Sequence, residues 1–236
     1  MLGLPESVRG CLFDLDGVLT KTAQVHDAAW KQMFDEFLRK RAETTGQPFV
    51  PFDPVADYDD YVDGKPRFEG TKSFLESRGI ELPDAEVGAL GDRKNETVLR
   101  LIKEHGVQAY EGSVRYVRLV KELGLPRAVV SSSKNCAEVL SAAGIADLFD
   151  ERIDGHVAED KHLSGKPAPD TYLAGARALG IDPKSASVFE DALAGVQAGR
   201  AGGFGFVVGV DRVGQADALR EHGADVVVRD LSELLR

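Results

Sequence analysis

"CLFDLDGVLTKTAQVHDAAW" (residues 11–30) sets an apolar run directly against two carboxylates. With the preceding "VRG", its first residues form a short continuous apolar segment of the kind that suits a strand buried on both faces. Asp14 and Asp16 then follow two positions apart, although aspartate is a poor strand former. Taken alone, a DxD after a strand is more often a turn closed by side-chain-to-backbone hydrogen bonds than a charged site. What the rest of the chain brings to the same place decides the matter.

Further short apolar runs lie at 127–131 ("RAVVS"), 187–190 ("SVFE"), 204–210 ("FGFVVGV") and 224–228 ("ADVVV"). Helical patterns separate them. Val114, Val117, Val120 and Leu123 recur at helical spacing, and Asp170 after Pro169 reads as the N-cap of a helix carrying Leu173, Ala176 and Leu179 that Gly180 would end. Strand and helix alternate from about residue 107 onward, which predicts an α/β fold with a doubly wound, mostly parallel sheet.

Residues 22–105 have another texture. Trp30, Met33, Phe34, Phe37 and Leu38 form one apolar stripe at helical spacing. A loop rich in Pro, Phe and Asp follows, whose acidic part at 53–63 reads as a solvated loop, and helical patterns return near 71–78 and 84–105. The expected organisation is therefore a core domain of 1–21 and 106–236 with a helical domain, 22–105, inserted after the first strand. An insert at the C-terminal end of a strand is well placed to act as a lid, because open α/β sheets bind ligands at that edge.

At 236 residues the chain can bury a sizeable core, and its 43% hydrophobic and 29% charged content is that of a soluble globular protein. A formal net charge of -10 argues against nucleic acid or an anionic membrane as partner, although local cations or a metal could still receive a small anion. There is no charged-then-apolar leader and no apolar stretch near 18 residues, and two cysteines read as reduced thiols, so a cytoplasmic protein is expected; a monomer is expected as well. Cys11 and Cys136 form neither a disulfide framework nor a metal spacing. His105, His156, His162 and His222 share no ligand spacing, and "GGFGFVVG" at 202–209 lacks a dinucleotide fingerprint, reading instead as a helix end and a core strand.

Four clusters carry chemistry: Asp14 with Asp16, Ser131, Lys166 in "SGKPAPD", and Glu190 with Asp191. Each falls where a strand should end or between elements, so a parallel sheet would bring all four to one edge. Together they offer carboxylates for Mg²⁺, a nucleophile, a hydroxyl and an ammonium. A carboxylate beside a metal-bound phosphoryl group can attack phosphorus, and Lys166 and Ser131 could then offset charge on the transferred oxygens.

"FDLDG", the serine after the second strand, the lysine of "GKPAPD" and the "ED" of "VFEDALAG" resemble the four motifs of the haloacid-dehalogenase-like phosphotransferases, in order and over nearly the whole chain. The resemblance implies that Asp14 is the nucleophile and Asp16 the general acid/base. It also implies that Mg²⁺ is held by Asp14, Glu190, Asp191 and the backbone carbonyl of Asp16. Within that superfamily the chain is most similar to the β-phosphoglucomutase-like subfamily. The resemblance there rests on Thr22, His26 and Trp30, on "DGKPR" (63–67) with Gly64 and Arg67, on "RKN" (93–95) with Lys94, and on "SSSKN" (131–135) with Ser132 and Asn135. These would bind substrate, with the Arg67 fork suited to a second phosphate. Read without the resemblance, His26, Arg67 and Lys94 are equally surface groups, and Trp30 is a packing residue. Two departures stand out: Lys21, where the family prefers an acid, and a longer stretch between Trp30 and Arg67.

The resemblance implies a Mg²⁺-dependent phosphosugar mutase that interconverts β-glucose 1-phosphate and glucose 6-phosphate through an aspartyl-phosphate and a sugar bisphosphate. Its same-chemistry alternative is a sugar-phosphate phosphatase. A third reading, from a different class, is a non-catalytic phosphosugar-binding protein, since fold alone does not give function.

Overall fold

Burial on both faces accounts for the continuous apolar runs. In a computed structural model, which describes residues 2–235, β1 (Gly10–Phe13) leads into a helical region of α1 (Ala23–Thr45), α2 (Arg67–Ser77) and α3 (Asp84–His105). After α4 (Glu111–Glu122) come β2 (Arg127–Val130), α5 (Cys136–Ala142), β3 (Glu151–Ile153), α6 (Gly155–Asp160) and α7 (Asp170–Ala178). The chain then runs through β4 (Ala186–Glu190), α8 (Leu193–Ala201), β5 (Phe206–Val210), α9 (Ala216–Glu221) and β6 (Val226–Val228).

All six strands are parallel, in the order β3-β2-β1-β4-β5-β6. Every residue of β1, β2 and β4 is buried. Leu12 packs with Val130, Val188, Tyr172 and Val196 on one face. On the other, the Phe13 ring stacks on Phe189 with centroids 4.3 Å apart and meets Tyr116 edge-on. The order reverses at β1, whose neighbours β2 and β4 lead to opposite sides of the sheet. The C-terminal end of β1 therefore stands at a topological switch point, where open α/β sheets leave a crevice.

By internal contacts the chain divides into two units. One holds the chain up to Lys21, Gly64–Pro66 and everything from Val107 onward; the other holds Thr22–Asp63 and Arg67–Gly106. Gly64–Pro66 group with the sheet because the Ser132 hydroxyl donates to the Gly64 carbonyl at 2.8 Å and the Pro66 ring lies against Gly165.

The second unit is helical and has an aromatic core. Phe34 is fully buried, with its ring centroid 5.3 Å from Trp30, 4.1 Å from Phe74 and 5.3 Å from Phe52. Phe52 comes from the long stretch between Trp30 and Arg67. It is pinned by its own backbone: the N–H donates to Asp35 Oδ1 at 2.8 Å and the carbonyl accepts from Lys31 Nζ at 2.9 Å. This stretch thus supplies part of the core.

Three local expectations are corrected. The acidic stretch 53–63 is not simply a solvated loop: Asp53 Oδ1 accepts from the N–H groups of Val55 and Ala56, a helical turn follows, and Tyr58–Val62 form a π-helix with Val62 buried. Asp170 is not the N-cap of α7. That position is Pro169, and Asp170 is the first helical residue, where its charge still suits the helix N-terminus. The strand β3 has no counterpart among the apolar runs, because it is a three-residue edge strand, "ERI", with only Ile153 buried. Among the described residues no helix is long and apolar enough to cross a membrane.

Because Phe34 touches three other rings, Phe34→Ala is expected to cost about 3–5 kcal/mol. Urea unfolding followed by circular dichroism measures this, and a loss under about 1 kcal/mol would contradict the aromatic core as the helical unit's main support.

Candidate active site

At the switch point the chain leaves β1 as Asp14, whose N–H donates to the Phe189 carbonyl of β4 at 2.9 Å. It then folds back at once. The N–H groups of Leu19 and Thr20 both donate to the Leu15 carbonyl at 2.9 Å, and Gly17 N–H donates to the Thr20 carbonyl at 2.8 Å. The apex, Gly17, has φ +84, and a Cβ there would overlap the Asp191 carboxylate. Both the conformation and the space require glycine.

Asp14 meets Lys166 directly. Lys166 Nζ lies 2.5 Å from Asp14 Oδ1 and also donates to Glu190 Oε1. The Tyr172 hydroxyl of α7 donates to the same Glu190 oxygen at 3.0 Å, and the Ala192 N–H donates to the other at 3.0 Å. Lys166 Nζ lies 5.0 Å from the centroid of the Tyr172 ring, adding a cation–π contact.

Burial pushes the Asp14 carboxyl well above the usual carboxylate range, against the pull of Lys166. Burial alone would weaken the Lys166 ammonium, but Asp14 and Glu190 outweigh it and hold the lysine above its ordinary value. Burial and the Glu190 carboxylate raise the Tyr172 phenol, which keeps it a hydrogen-bond donor.

One ammonium faces Asp14, Glu190 and the neighbouring Asp16 and Asp191, leaving negative charge in excess. Ligand oxygens from Asp14, Glu190 and Asp191 lie within 4.8 Å of one another. An all-oxygen donor set with surplus negative charge fits a hard divalent cation such as Mg²⁺.

The "SSSKN" segment is a chain of short turns. Ser131 Oγ accepts from Ser133 N–H at 3.1 Å, and Ser133 Oγ from Asn135 N–H at 3.1 Å. Asn135 occupies the N-cap position of α5 without a side-chain capping bond. Phe13 pairs with Val129 and Phe189 in register, so Asp14, Ser131 and Glu190 leave three adjacent strands at the same edge.

In the helical unit, Lys94 Nζ lies 2.6 Å from His26 Nδ1 and 4.6 Å from the Trp30 ring centroid. Lys94 is only 5% exposed, so it is not a solvated surface charge. Arg67, at the start of α2, pairs with Asp92 at 3.2 Å, and its stem lies against Gly91 of α3, where a side chain would crowd it. Thr22 is buried at the N-cap position of α1, and its carbonyl accepts from His26 N–H. Trp30 is both core and neighbour of the buried cation.

Lys21 is exposed, 3.4 Å from Gln108 Oε1 and 5.7 Å from the Tyr110 ring centroid. Its backbone N–H donates to the Gln108 carbonyl, beside the Tyr110-to-Leu19 bond. The unexpected cation thus packs where the chain leaves and re-enters the sheet unit.

Sequence reasoning missed Tyr172. The available signal was an aromatic with a polar tip on a helix face otherwise made of Thr171, Ala174, Gly175 and Ala176, since a buried tyrosine hydroxyl needs a partner.

This geometry agrees with what comparison with known proteins finds. A family model described as haloacid dehalogenase-like hydrolase matches residues 8–203, and the chain belongs to that family. It is 54% identical to the Mycobacterium bovis protein named beta-phosphoglucomutase, over all of this chain and 94% of that one. It is 30% identical, over 94% of each chain, to the validoxylamine A 7'-phosphate phosphatase of Streptomyces hygroscopicus subsp. limoneus. The crystal structure of beta-phosphoglucomutase from Clostridium difficile superposes with a TM-score of 0.78 at 27% identity, covering 97% of this chain and 93% of that one.

Gly17→Ala forces a methyl group into the Asp191 carboxylate. It is expected to lower kcat on a small aryl phosphate roughly 100-fold with the fold retained, the scale of loss from a misplaced reacting group. Turnover within about threefold of the parent, measured beside circular dichroism, would show that the close Gly17–Asp191 approach is dispensable.

Proposed function

We propose that this chain is a Mg²⁺-dependent phosphosugar mutase interconverting β-glucose 1-phosphate and glucose 6-phosphate. Asp14 carries the phosphoryl group. A sugar hydroxyl attacks that phosphorus, the bond to the Asp14 oxygen breaks, and Asp16 takes the hydroxyl proton. The resulting 1,6-bisphosphate returns its other phosphoryl group to Asp14, and Asp16 gives the proton back to the departing sugar oxygen. Lys166 and Ser131 offset charge on the transferred oxygens. Mg²⁺, held by Asp14, Glu190, Asp191 and the Asp16 carbonyl, would supply further charge neutralisation at those oxygens. Thr22, His26, Trp30, Gly64, Lys94, Ser132 and Asn135 serve substrate binding, and Arg67 is assigned the sugar's second phosphate.

The observation that carries this reading is the buried Lys94, held by His26 and Trp30, with Arg67 against the same helix. Hydrolysis of a phosphate ester needs only the sheet-edge residues, whereas a bisphosphate needs cations for a second anionic group. The strong similarity to a protein named beta-phosphoglucomutase supports the same reading. The 30% identity to a protein named validoxylamine A 7'-phosphate phosphatase keeps hydrolysis as the rival, since water can take the phosphoryl group from the same aspartate.

The discriminating assay supplies β-glucose 1-phosphate, Mg²⁺ and a trace of glucose 1,6-bisphosphate. Glucose 6-phosphate is expected without matching release of inorganic phosphate; stoichiometric phosphate with no glucose 6-phosphate would sink the mutase. Arg67→Ala is expected to lower mutase flux at least tenfold more than hydrolysis of an aryl phosphate, which carries no second phosphate. Equal losses in the two assays would remove the second-phosphate role from Arg67.

A further inference from the structure

Arg212, in the loop after β5, has no part in the chemistry above, yet its side chain reaches the turn that carries Asp16. Its Nε donates to the Gly17 carbonyl at 2.7 Å and one terminal nitrogen to the Val18 carbonyl at 3.4 Å. The other donates to the Arg229 carbonyl at 2.6 Å and lies 3.9 Å from Asp230 Oδ2. The guanidinium lies over the Tyr110 ring, 3.5 Å from its centroid. Tyr110 in turn donates its N–H to the Leu19 carbonyl at 2.9 Å. Gly17, Arg212, Tyr110 and Leu19 thus close a ring of contacts around the Asp16 turn.

The same loop holds the other side of the site. Asp211 Oδ1 accepts from the N–H groups of Gly214 and Gln215, which fixes the loop, and Gln215 Nε2 donates to the Asp191 carbonyl at 3.1 Å. Residues 211–215 therefore grip the carbonyls of Gly17 and Asp191, on the two segments that meet where Gly17 has no side chain.

The geometry points to Arg212 as a positioning residue for phosphoryl transfer: stacked on Tyr110, it fixes the turn carrying Asp16 through the Gly17 and Val18 carbonyls. The physical requirement is specific to a guanidinium. A flat, forked cation can stack on a ring and donate in several directions at once, whereas an ammonium offers charge without the fork or the plane. The loss should fall on kcat, because Arg212 is tied to the acid/base turn and touches none of the residues assigned to binding.

The inference rests on Asp14 and Asp16 as the reacting pair, so Asp14→Asn is assayed alongside. Steady-state kinetics on a small aryl phosphate are compared for Arg212→Ala, Arg212→Lys, Tyr110→Leu, Arg212→Ala/Tyr110→Leu and a control at the exposed Arg229, Arg229→Ala. Arg212→Ala is expected to lower kcat at least about tenfold with KM within about threefold, and Arg212→Lys to recover only part of that loss. Tyr110→Leu is expected to lower kcat as well, and the double variant to be little worse than Arg212→Ala alone, because the two residues act as one stack. Arg229→Ala should match the parent. An unchanged kcat in Arg212→Ala, a full rescue by lysine, or simple additivity in the double variant would overturn the positioning role. If Arg212→Ala does not fold, Arg212→Lys and Tyr110→Leu, which keep most of the side-chain volume, decide by the same criteria. Turnover retained in Asp14→Asn would instead overturn the site reading itself, whatever Arg212 does.

Discussion

Lys166 is almost wholly removed from water between Asp14 and Glu190, and the site is organised around that contact. A buried carboxylate is tolerable only when paired and hydrogen-bonded, and removing one partner of such a pair leaves the other uncompensated. The sheet supplies the pairing by register: Asp14 and Glu190 leave adjacent strands side by side, so one ammonium reaches both. Tyr172 and the Ala192 N–H satisfy the remaining demand of Glu190, and Gly195 leaves room for its carboxylate. What one lysine leaves unneutralised is the surplus charge that suits a divalent cation.

The helical unit solves a different problem with similar means. Its core is a cluster of stacked rings, and the edge of that cluster is where Lys94 is held, against Trp30 and His26. An ammonium placed on an aromatic face and beside an imidazole is held partly out of water by those contacts. The stretch between Trp30 and Arg67 contributes Phe52 to this core.

Much of this was legible in the residues. Continuous apolar runs are what strands buried on both faces require, and β1, β2 and β4 follow them closely. The helical stripe from Trp30 to Leu38 became the core of α1 because its period matched one helix face. Asp14, Lys166 and Glu190 group from the sequence pattern alone, since parallel strands bring their ends to one edge. Other features depend on tertiary pairing that local pattern does not carry. β3 is a short edge strand with exposed charges, so it has no apolar period. The acidic stretch before Arg67 became partly helical because Asp53 caps the next N–H groups, a geometric effect that composition hides. Arg212 was invisible because the partners that tie it to the Asp16 turn, the Gly17 and Val18 carbonyls and the Tyr110 ring, are distant in sequence and carry no local pattern.

The central claim is that phosphate passes through Asp14. The most direct test quenches the protein in acid during turnover of a sugar bisphosphate carrying labelled phosphate, then maps the label by peptide analysis. Label on the peptide containing Asp14, released by hydroxylamine as an acyl phosphate would be, is the expected result. Label on Ser131 or another hydroxyl, or turnover with no protein-bound label under conditions that trap acyl phosphates, would contradict it.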